Sequence, residues 1–212
     1  MLVHDVMRRE PAVLPPSATL AEMLGLLQRR GIRHVPILDG SELVGIVSDR
    51  DLKSAMLSTA TARSGDSRDR PRHELTASDI MARTVVTITQ VSSVEEAARL
   101  MATKRISALP VTDHGHLVGI VTETDVLQML VCAMGATEPS SRLDVTLGTG
   151  PRALTDVVTT VEGAGLEICS LMTSADCTGR RAVALRVPTI NPGPAIRALE
   201  AKGYIVRSSW RR

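Results

Sequence analysis

Aromatic residues are almost absent from this 212-residue chain, which contains no Phe, one Tyr (Tyr204) and one Trp (Trp210). Its cores must therefore be built from Leu, Val, Ile, Ala and Met. Proteins that bind single-stranded nucleic acid usually stack the bases on aromatic side chains, so this composition argues against that class. Apolar residues still make up 43% of the chain, which is enough for well-buried cores.

The chain also lacks an excess of charge of either sign. Its 25 Lys and Arg residues nearly balance 23 Asp and Glu residues, for a formal net charge of +2. A duplex-binding protein normally concentrates basic residues on one face. The basic clusters here lie at 63–72 and 207–212 and are interpreted as a solvated linker and a solvated tail, so we expect no nucleic-acid partner.

Several other signals are missing. No run of about 18 apolar residues is present, and the N-terminus lacks the apolar segment of a signal peptide. The cysteines (Cys132, Cys169 and Cys177) are odd in number and have no CxxC spacing, which is typical of reduced thiols. There is no Ser-His-Asp set, metal triad or Walker-type glycine loop. We therefore expect a cytoplasmic protein that is not an enzyme, with no catalytic cofactor, no metal and no membrane partner.

The chain does contain an internal repeat at a constant offset of 74 positions. Three segments recur without a gap: 5–7 as 79–81, 32–37 as 106–111, and 43–51 as 117–125. A repeated unit usually cannot bury its apolar face alone and stacks on its copy. Two copies placed face to face would create two related clefts, and a ligand would bind there.

Each copy is predicted to run strand, helix, strand, strand, helix. The first helix of each copy is predicted to begin at a capping pair, Thr19 with Glu22 in the first copy and Ser93 with Glu96 in the second. The closing helix is predicted to begin near Asp51 in the first copy and near Asp125 in the second. Between the helices, apolar strands through Pro36 and Pro110 are each followed by a polar turn and a second strand, which predicts a hairpin. Residues 58–74 have no large apolar side chain and are predicted to be a mobile linker.

A different pattern begins near residue 142. The predicted elements are a strand at 143–147, a helix opening at 150–151, a strand at 166–172, a turn at 176–179, a strand at 182–187, a helix at 194–202 and a strand at 204–207. This βαββαβ order is the split-βαβ, ferredoxin-like arrangement. It indicates a separate C-terminal domain.

The segments Gly-Ile-Val-Ser-Asp-Arg-Asp (45–51) and Gly-Ile-Val-Thr-Glu-Thr-Asp (119–125) allow two interpretations. Ser48 and Thr122 could simply cap helices, for about 1 kcal/mol each. Alternatively, the free N–H groups at each helix N-terminus could bind a phosphate, while Asp51 and Asp125 accept ribose hydroxyls. Because the motif occurs twice in register, we favour the nucleotide interpretation.

These residues resemble the cystathionine-β-synthase (CBS) domain, whose pattern is Gly-apolar-apolar-Ser/Thr-x-x-Asp after an apolar-Pro strand. The resemblance covers 1–57 (repeat 1) and 75–134 (repeat 2), on either side of the linker at 58–74. It implies an α/β (α+β) fold in which the two repeats pair as a Bateman module. It also implies an adenosine-containing ligand, AMP, ADP, ATP or S-adenosylmethionine, in one or both clefts.

The resemblance assigns roles by matching position. Asp51 and Asp125 would hold ribose hydroxyls. The other implied site residues would face phosphate or ribose (Ser48, Arg50, Thr122, Thr124) or flank the adenine and reach the phosphate (Ile32, Arg33, His34, Ile106, Ser107, Ala108). Arg33, His34 and Arg50 of the first copy become Ser107, Ala108 and Thr124 in the second. We therefore expect the two clefts to differ in charge and ligand preference.

The C-terminal segment, 142–209, resembles an ACT domain, a regulatory fold that often binds amino acids at a dimer interface. Family members commonly carry Pro-Gly-x-Leu after the first strand, whereas this chain has Gly-Pro-Arg-Ala-Leu at 150–154. Gly150 could still let an amino acid approach the backbone, and a purely dimerising role is the alternative. A CBS pair followed by an ACT-like domain is similar to the bacterial acetoin-utilisation family.

The resemblances together predict a homodimeric regulatory sensor of an adenosine-containing ligand. One alternative is a dimeric scaffold or interaction protein that binds no ligand. A weak nucleotide-processing enzyme is the other.

Overall fold

The computed structural model describes residues 1–61, 74–175 and 180–208. The chain forms two compact units, Met1–Val126 and Leu127–Arg212. Within the described ranges, no helix has the length and apolar character needed to cross a membrane. Residues 62–73 of the predicted linker and the predicted turn at 176–179 lie outside the described residues.

The first unit contains both copies of the repeat, except for the last seven residues of the second copy's final helix, which belong to the second unit. The first copy forms α1 (Val3–Val6), β1 (Arg8–Arg9), α2 (Leu20–Arg30), β2 (His34–Asp39), β3 (Glu42–Ser48) and α3 (Asp49–Thr61). The second copy forms α4 (Ala77–Ile80), β4 (Ile88–Thr89), α5 (Val94–Lys104), β5 (Ala108–Asp113), β6 (His116–Thr122) and α6 (Glu123–Ala133). The helix α3 continues to Thr61, four residues into the segment predicted as linker.

The predicted capping pairs are confirmed. The Thr19 hydroxyl accepts a hydrogen bond from the Glu22 amide, and the Glu22 carboxylate accepts one from the Thr19 amide at 2.8 Å. In the second copy the Ser93 hydroxyl accepts from the Glu96 amide at 3.1 Å. These bonds satisfy amides that have no partner within the helix, so α2 and α5 begin where the sequence predicts.

Each copy opens with a four-residue helix, α1 or α4, that the predicted order of elements did not include. The Asp5 carboxylate accepts a hydrogen bond from the Leu2 amide, and the Asp79 carboxylate accepts one from the Thr76 amide, both at 2.9 Å. A carboxylate three residues beyond the cap closes a helical turn. The predicted first strand of each copy follows this helix, as β1 and β4, so the structure adds a short helix to the predicted order.

The leading helices are exchanged between the copies. Val3 of α1 is fully buried in the second copy's core with Leu109 and Val121. Ala77 of α4 is fully buried in the first copy's core, beside Val35. Neither copy completes its core without the other, so the two copies form one packed unit.

Both hairpins are antiparallel and have matching registers. His34 lies opposite Ser48 on β2 and β3, and Ala108 lies opposite Thr122 on β5 and β6. The exchanged segments extend the hairpins, because Arg8 pairs with Ile120 and Ala82 bridges Ile46. Arg8 and Ala82 are 74 positions apart and occupy equivalent places.

Two glycines allow this exchange. A Cβ at Gly119 would lie 2.7 Å from Met7 Sδ and 3.0 Å from the backbone oxygen of Arg8. At Gly45 a Cβ would meet the side chain of Met81, with Cγ at 2.8 Å. Side chains at these positions would separate the exchanged segments from the hairpins.

The second unit contains β7 (Ser141–Thr146), α7 (Ala153–Gly163), β8 (Ser170–Ala175), β9 (Arg181–Val187), α8 (Gly193–Ala201) and β10 (Val206–Ser208). Its antiparallel sheet has the order β10-β7-β9-β8. The βαββαβ order agrees with the prediction. The apolar sides of α7, α8, β7 and β9 share one core, which includes Val157, Leu185 and Leu199.

One strand of this unit starts later than predicted. The segment 166–172 was expected to be extended throughout, but β8 begins at Ser170. Leu166 and Ile168 pack against the core from the connection that precedes the strand. Their alternating apolar character reflects contact with the core and not strand pairing.

Candidate ligand clefts between the two copies

The repeated Ser/Thr-x-x-Asp motifs form reciprocal helix caps. The Oδ2 atom of Asp51 accepts hydrogen bonds from the Ser48 amide at 2.8 Å and the Ser48 hydroxyl at 2.7 Å. The Oδ2 atom of Asp125 accepts from the Thr122 amide at 2.9 Å and the Thr122 hydroxyl at 2.6 Å. The capping interpretation therefore accounts for one oxygen of each carboxylate.

The other oxygens differ between the motifs. Asp51 Oδ1 accepts no hydrogen bond from any residue that the structure describes. Asp125 Oδ1 accepts one from Arg8 Nε at 3.3 Å, and the Asp125 side chain is only 6% exposed. One carboxylate thus keeps an oxygen available, whereas the other uses both.

A cavity of about 360 Å³, here called the Asp51 cleft, opens beside Asp51. Its walls come from both copies. The first copy supplies Arg33, His34, Ile46, Ser48, Asp49, Arg50 and Asp51; the second supplies Ala82, Thr84, Val85, Val86, Arg105, Ile106, Ser107, Ala108, Pro110 and Glu123. The carboxylate of one copy therefore shares the cavity with apolar residues of the other.

The lining of the Asp51 cleft separates into chemical types. Val85, Val86, Ile106 and Pro110 form an apolar portion from the second copy. The ionic groups are three arginines (Arg33, Arg50, Arg105) and three acids (Asp49, Asp51, Glu123). Small-molecule sites commonly combine a volume of about 300–1,000 Å³ with apolar walls and a few polar groups, and this cleft has those properties.

The equivalent side, here called the Asp125 cleft, contains two smaller cavities of about 260 and 150 Å³. Arg8 lines both of them. Thr122 and Thr124 line the smaller cavity, and Arg9 and Pro11 line the larger. Asp125 itself lines neither, since its side chain is buried and bonded to Arg8.

Two hydrogen bonds join the copies between the clefts. Arg33 Nη2 donates to Thr124 Oγ1 at 3.1 Å, and Ser107 Oγ lies 2.9 Å from His34 Nε2. Burial and then the positive charge of Arg33 hold the pKa of His34 below its ordinary value, against the opposing effect of nearby acids. His34 is therefore neutral near pH 7 and acts there as a hydrogen-bonding group.

The amides at the start of α3 are largely used within the protein. The Asp49 amide donates to the Arg33 carbonyl at 2.9 Å, and the Asp51 amide donates to the Ser48 hydroxyl at 3.3 Å. An anion in the Asp51 cleft would consequently depend on guanidinium groups more than on the helix N-terminus. Among the described residues, no group of three or more His, Cys, Asp or Glu could hold a metal ion.

The paired motifs and their geometry agree with a comparison to protein families. The family model for the CBS domain matches residues 3–58 and again residues 77–131. The chain belongs to the CBS-domain family. Its two copies are a tandem CBS pair, which confirms this part of the sequence interpretation.

Solved structures resemble the CBS pair over most of their own length. AcuB from Vibrio cholerae, a protein assigned to acetoin utilization, is 31% identical with a TM-score of 0.56, covering 64% of this chain and 96% of that chain. The CBS pair of protein MJ0100, in complex with 5′-methylthioadenosine and S-adenosyl-L-methionine, is 28% identical with a TM-score of 0.53 (61% and 95% covered). CBSX2 in complex with AMP is 27% identical with a TM-score of 0.52 (62% and 96%).

The predicted site residues are distributed unequally between the clefts. Eight of them line the Asp51 cleft: Arg33, His34, Ser48, Arg50, Asp51, Ile106, Ser107 and Ala108. Ile32, Thr122 and Thr124 lie on the Asp125 side, which Arg33 and His34 also reach. Gly150 is exposed in the second unit, and a Cβ there would meet nothing within 4 Å.

Sequence reasoning missed several lining residues of the CBS pair. Thr84, Val85, Val86 and Arg105 line the Asp51 cleft, and Arg8 holds the Asp125 carboxylate. They lie outside the repeated motifs. Applying the offset of 74 positions would have shown that Arg8 and Ala82 are equivalent positions with different residues. It would not have shown which side chains they contact, because those contacts depend on the exchange of the leading segments.

Proposed function

We propose that this chain is a regulatory sensor and not an enzyme, and that it binds an adenosine-containing ligand in the Asp51 cleft. The candidates are AMP, ADP, ATP and S-adenosylmethionine. The observation that carries the proposal is Asp51: its side chain lines a cavity of about 360 Å³, and its Oδ1 accepts no hydrogen bond from any described residue.

The ribose would bind at Asp51. A carboxylate has two oxygens with about four lone-pair sites, and the cap formed with Ser48 uses Oδ2 alone. The remaining oxygen can accept both hydroxyls of a ribose. Since the cap also holds the carboxylate in one orientation, little side-chain entropy would be lost on binding.

The adenine would lie against apolar residues of the second repeat. Val85, Val86, Ile106 and Pro110 supply this surface. Burying apolar area contributes about 25 cal/mol per Å². These residues approach Asp51 only across the pair, so neither repeat can form the site alone.

Phosphate groups, or the charged end of another adenosyl ligand, would face the ionic groups. Arg33, Arg50 and Arg105 offer planar donors suited to phosphate. Asp49 and Glu123 offset part of this positive charge, which would moderate the preference for highly charged nucleotides. This balance leaves both nucleotides and the cationic S-adenosylmethionine among the candidates.

The related complexes support the ligand class. The CBS pair of MJ0100 holds 5′-methylthioadenosine and S-adenosyl-L-methionine, and CBSX2 holds AMP. All three molecules contain adenosine or its 5′-thio analogue. We extend this class, but no single member of it, to the Asp51 cleft.

We propose further that the second unit is an ACT-like domain that dimerises the chain or binds an amino acid near Gly150. Its βαββαβ order and the exposed backbone at Gly150 support this assignment. Likeness to AcuB supports a relation to acetoin utilisation. A homodimer, a cytoplasmic location and domain limits of 1–57, 75–134 and 142–209 remain parts of this proposal.

One observation favours a second candidate function, a scaffold that binds no ligand. Both Asp caps form within the protein alone, so the motifs are structurally useful without a ligand. This explanation leaves Asp51 Oδ1 without a role, and for that reason we rank it below the sensor.

Thermal unfolding in the presence of AMP, ADP, ATP, S-adenosylmethionine and a panel of amino acids tests these proposals. A ligand present at 100 times its Kd should stabilise the folded protein by about 2.7 kcal/mol. We expect a shift with at least one adenosyl compound. No shift with any of the four would contradict the sensor and leave the scaffold.

A further inference from the structure

Arg8 and Ala82 are the residues at which the two clefts differ most directly. Both lie just after an exchanged helix, and each pairs with the hairpin that ends at the opposite carboxylate, Arg8 with Ile120 and Ala82 with Ile46. Ala82 lines the Asp51 cleft and carries no charge. Arg8 lines both cavities of the Asp125 cleft and reaches Asp125.

The Asp125 carboxylate has little capacity left for a ligand. Oδ2 accepts two hydrogen bonds from Thr122, and Oδ1 accepts one from Arg8 Nε at 3.3 Å. A ribose hydroxyl would have to displace a charged donor, whose bond to a carboxylate is stronger than that of a neutral hydroxyl. Space does not set the limit here, since the two cavities measure about 260 and 150 Å³.

We propose that Arg8 determines the number of nucleoside sites in this chain. By holding Asp125, it excludes the ribose of an adenosyl ligand from the Asp125 cleft and leaves one nucleoside site per chain, at Asp51. This inference rests on the proposed function for the identity of the ligand. It adds a specificity-determining residue that lies outside the repeated motifs.

Isothermal titration calorimetry with AMP, ATP and S-adenosylmethionine, each added alone to the full chain, tests the inference. We expect wild-type protein to bind one molecule and Arg8→Ala to bind two. Arg8 is 55% exposed, so this variant should fold. Arg9→Ala removes the same charge from the next residue, which contacts His4 at 2.7 Å and not Asp125, and should still bind one.

Double variants locate the new site. Arg8→Ala combined with Asp51→Ala should bind one molecule, at the opened cleft. Arg8→Ala combined with Asp125→Ala should return to the single site at Asp51. The converse variant, Ala82→Arg, places a guanidinium at the equivalent position of the Asp51 cleft and should weaken the wild-type site at least tenfold.

The outcomes separate this inference from the proposed function. Two sites in the wild type, or one site in both wild type and Arg8→Ala, would overturn the role of Arg8 while leaving the sensor intact. Two sites in the wild type would mean that Arg8 moves aside for the ligand, and one site in both proteins would mean that something other than Arg8 closes the Asp125 cleft. No site in the wild type but one in Arg8→Ala would support Arg8 and refute binding at Asp51. No binding by either protein would overturn both.

Discussion

The Asp51 and Asp125 clefts use the same motif at the same offset, and their local structures are nearly identical. In both, a hydroxyl and an Asp cap the helix that follows a hairpin, with bonds of 2.6–2.9 Å to one carboxylate oxygen. They differ in what approaches the second oxygen. Arg8 donates to Asp125 Oδ1, whereas Ala82 has no side-chain donor and Asp51 Oδ1 accepts no hydrogen bond from any described residue.

This difference shows that a repeated motif does not guarantee a repeated site. The residues that distinguish the clefts come from the exchanged segments: Ala82 lies 31 positions after Asp51, and Arg8 lies 117 positions before Asp125. Duplication preserves the cap because the cap is local. The surroundings can then diverge, and a symmetric pair can keep one open cleft and one occupied by its own side chain.

The largest effect should come from breaking the exchange itself. Met81 is 9% exposed in the first copy's core, so Met81→Ala removes buried apolar volume and should lower stability by about 2–4 kcal/mol. Met7 is only partly buried, and Met7→Ala should cost less. Chemical denaturation followed by circular dichroism measures both. Equal costs below that range would show that the exchanged segments do not stabilise the pair.

Replacing Asp51 and Asp125 one at a time distinguishes the contact with the ligand from the helix cap that both residues form. Asp51→Ala should weaken binding of the adenosyl ligand by about 10–100-fold, since a hydrogen bond to a charged group contributes about 1.5–3 kcal/mol. Asp125→Ala removes the equivalent cap and is the matched control, because Asp125 lines neither cavity on its own side. Calorimetric titration gives both affinities. An equal loss in the two variants would mean that the caps, and not the ligand contact, control binding.

A side chain at Gly119 should push β1 away from β6. The new Cβ would lie 3.0 Å from the backbone oxygen of Arg8, which cannot rotate away, so Gly119→Ala should lower stability by about 1–3 kcal/mol. Gly148→Ala is the control, because a Cβ there meets nothing within 4 Å. Thermal unfolding compares the two. A neutral result at Gly119 would indicate that the exchanged segment packs more loosely than the hairpin geometry implies.

The smallest expected effect is on the pH dependence of stability, through His34. The equivalent position of the second copy is Ala108, which cannot titrate. The folded pKa of His34 lies below its ordinary value of 6.5 because of burial and the charge of Arg33. The unfolded chain therefore binds the proton more readily, and the stability that depends on neutral His34 is complete above pH 6.5 and declines as pH falls below it.

His34→Gln should flatten the stability profile just below pH 6.5. Unfolding midpoints at half-unit pH steps, for wild type and variant, provide the comparison. Carboxylates with lowered pKa, such as Asp156 with its Lys202 partner, titrate at lower pH and should affect both proteins alike. Parallel profiles for the two proteins would contradict the inferred pKa of His34.

Much of the local structure could be predicted because its causes lie within a few residues. The Thr19–Glu22 and Ser93–Glu96 caps were predicted from spacing alone, and the hairpins through Pro36 and Pro110 from apolar strands beside polar turns. The predictions failed where tertiary contact sets the pattern. Leu166 and Ile168 alternate like a strand but pack on a core from a connection, and α1 and α4 were too short to show a helical period.

The candidate site likewise has features that the sequence predicts and features that only tertiary contacts produce. The sequence alone determined that the chain repeats, that Ser48 with Asp51 and Thr122 with Asp125 end strands and begin helices, and that the cores are aliphatic. The repeat is evident from the constant offset of 74 positions, and the other two follow from composition and short-range pattern. Only the tertiary structure decided which residues share a cleft. The exchange of leading segments brings Val85 and Ala82 to Asp51 and Arg8 to Asp125, through contacts between residues far apart in the chain that no local pattern encodes.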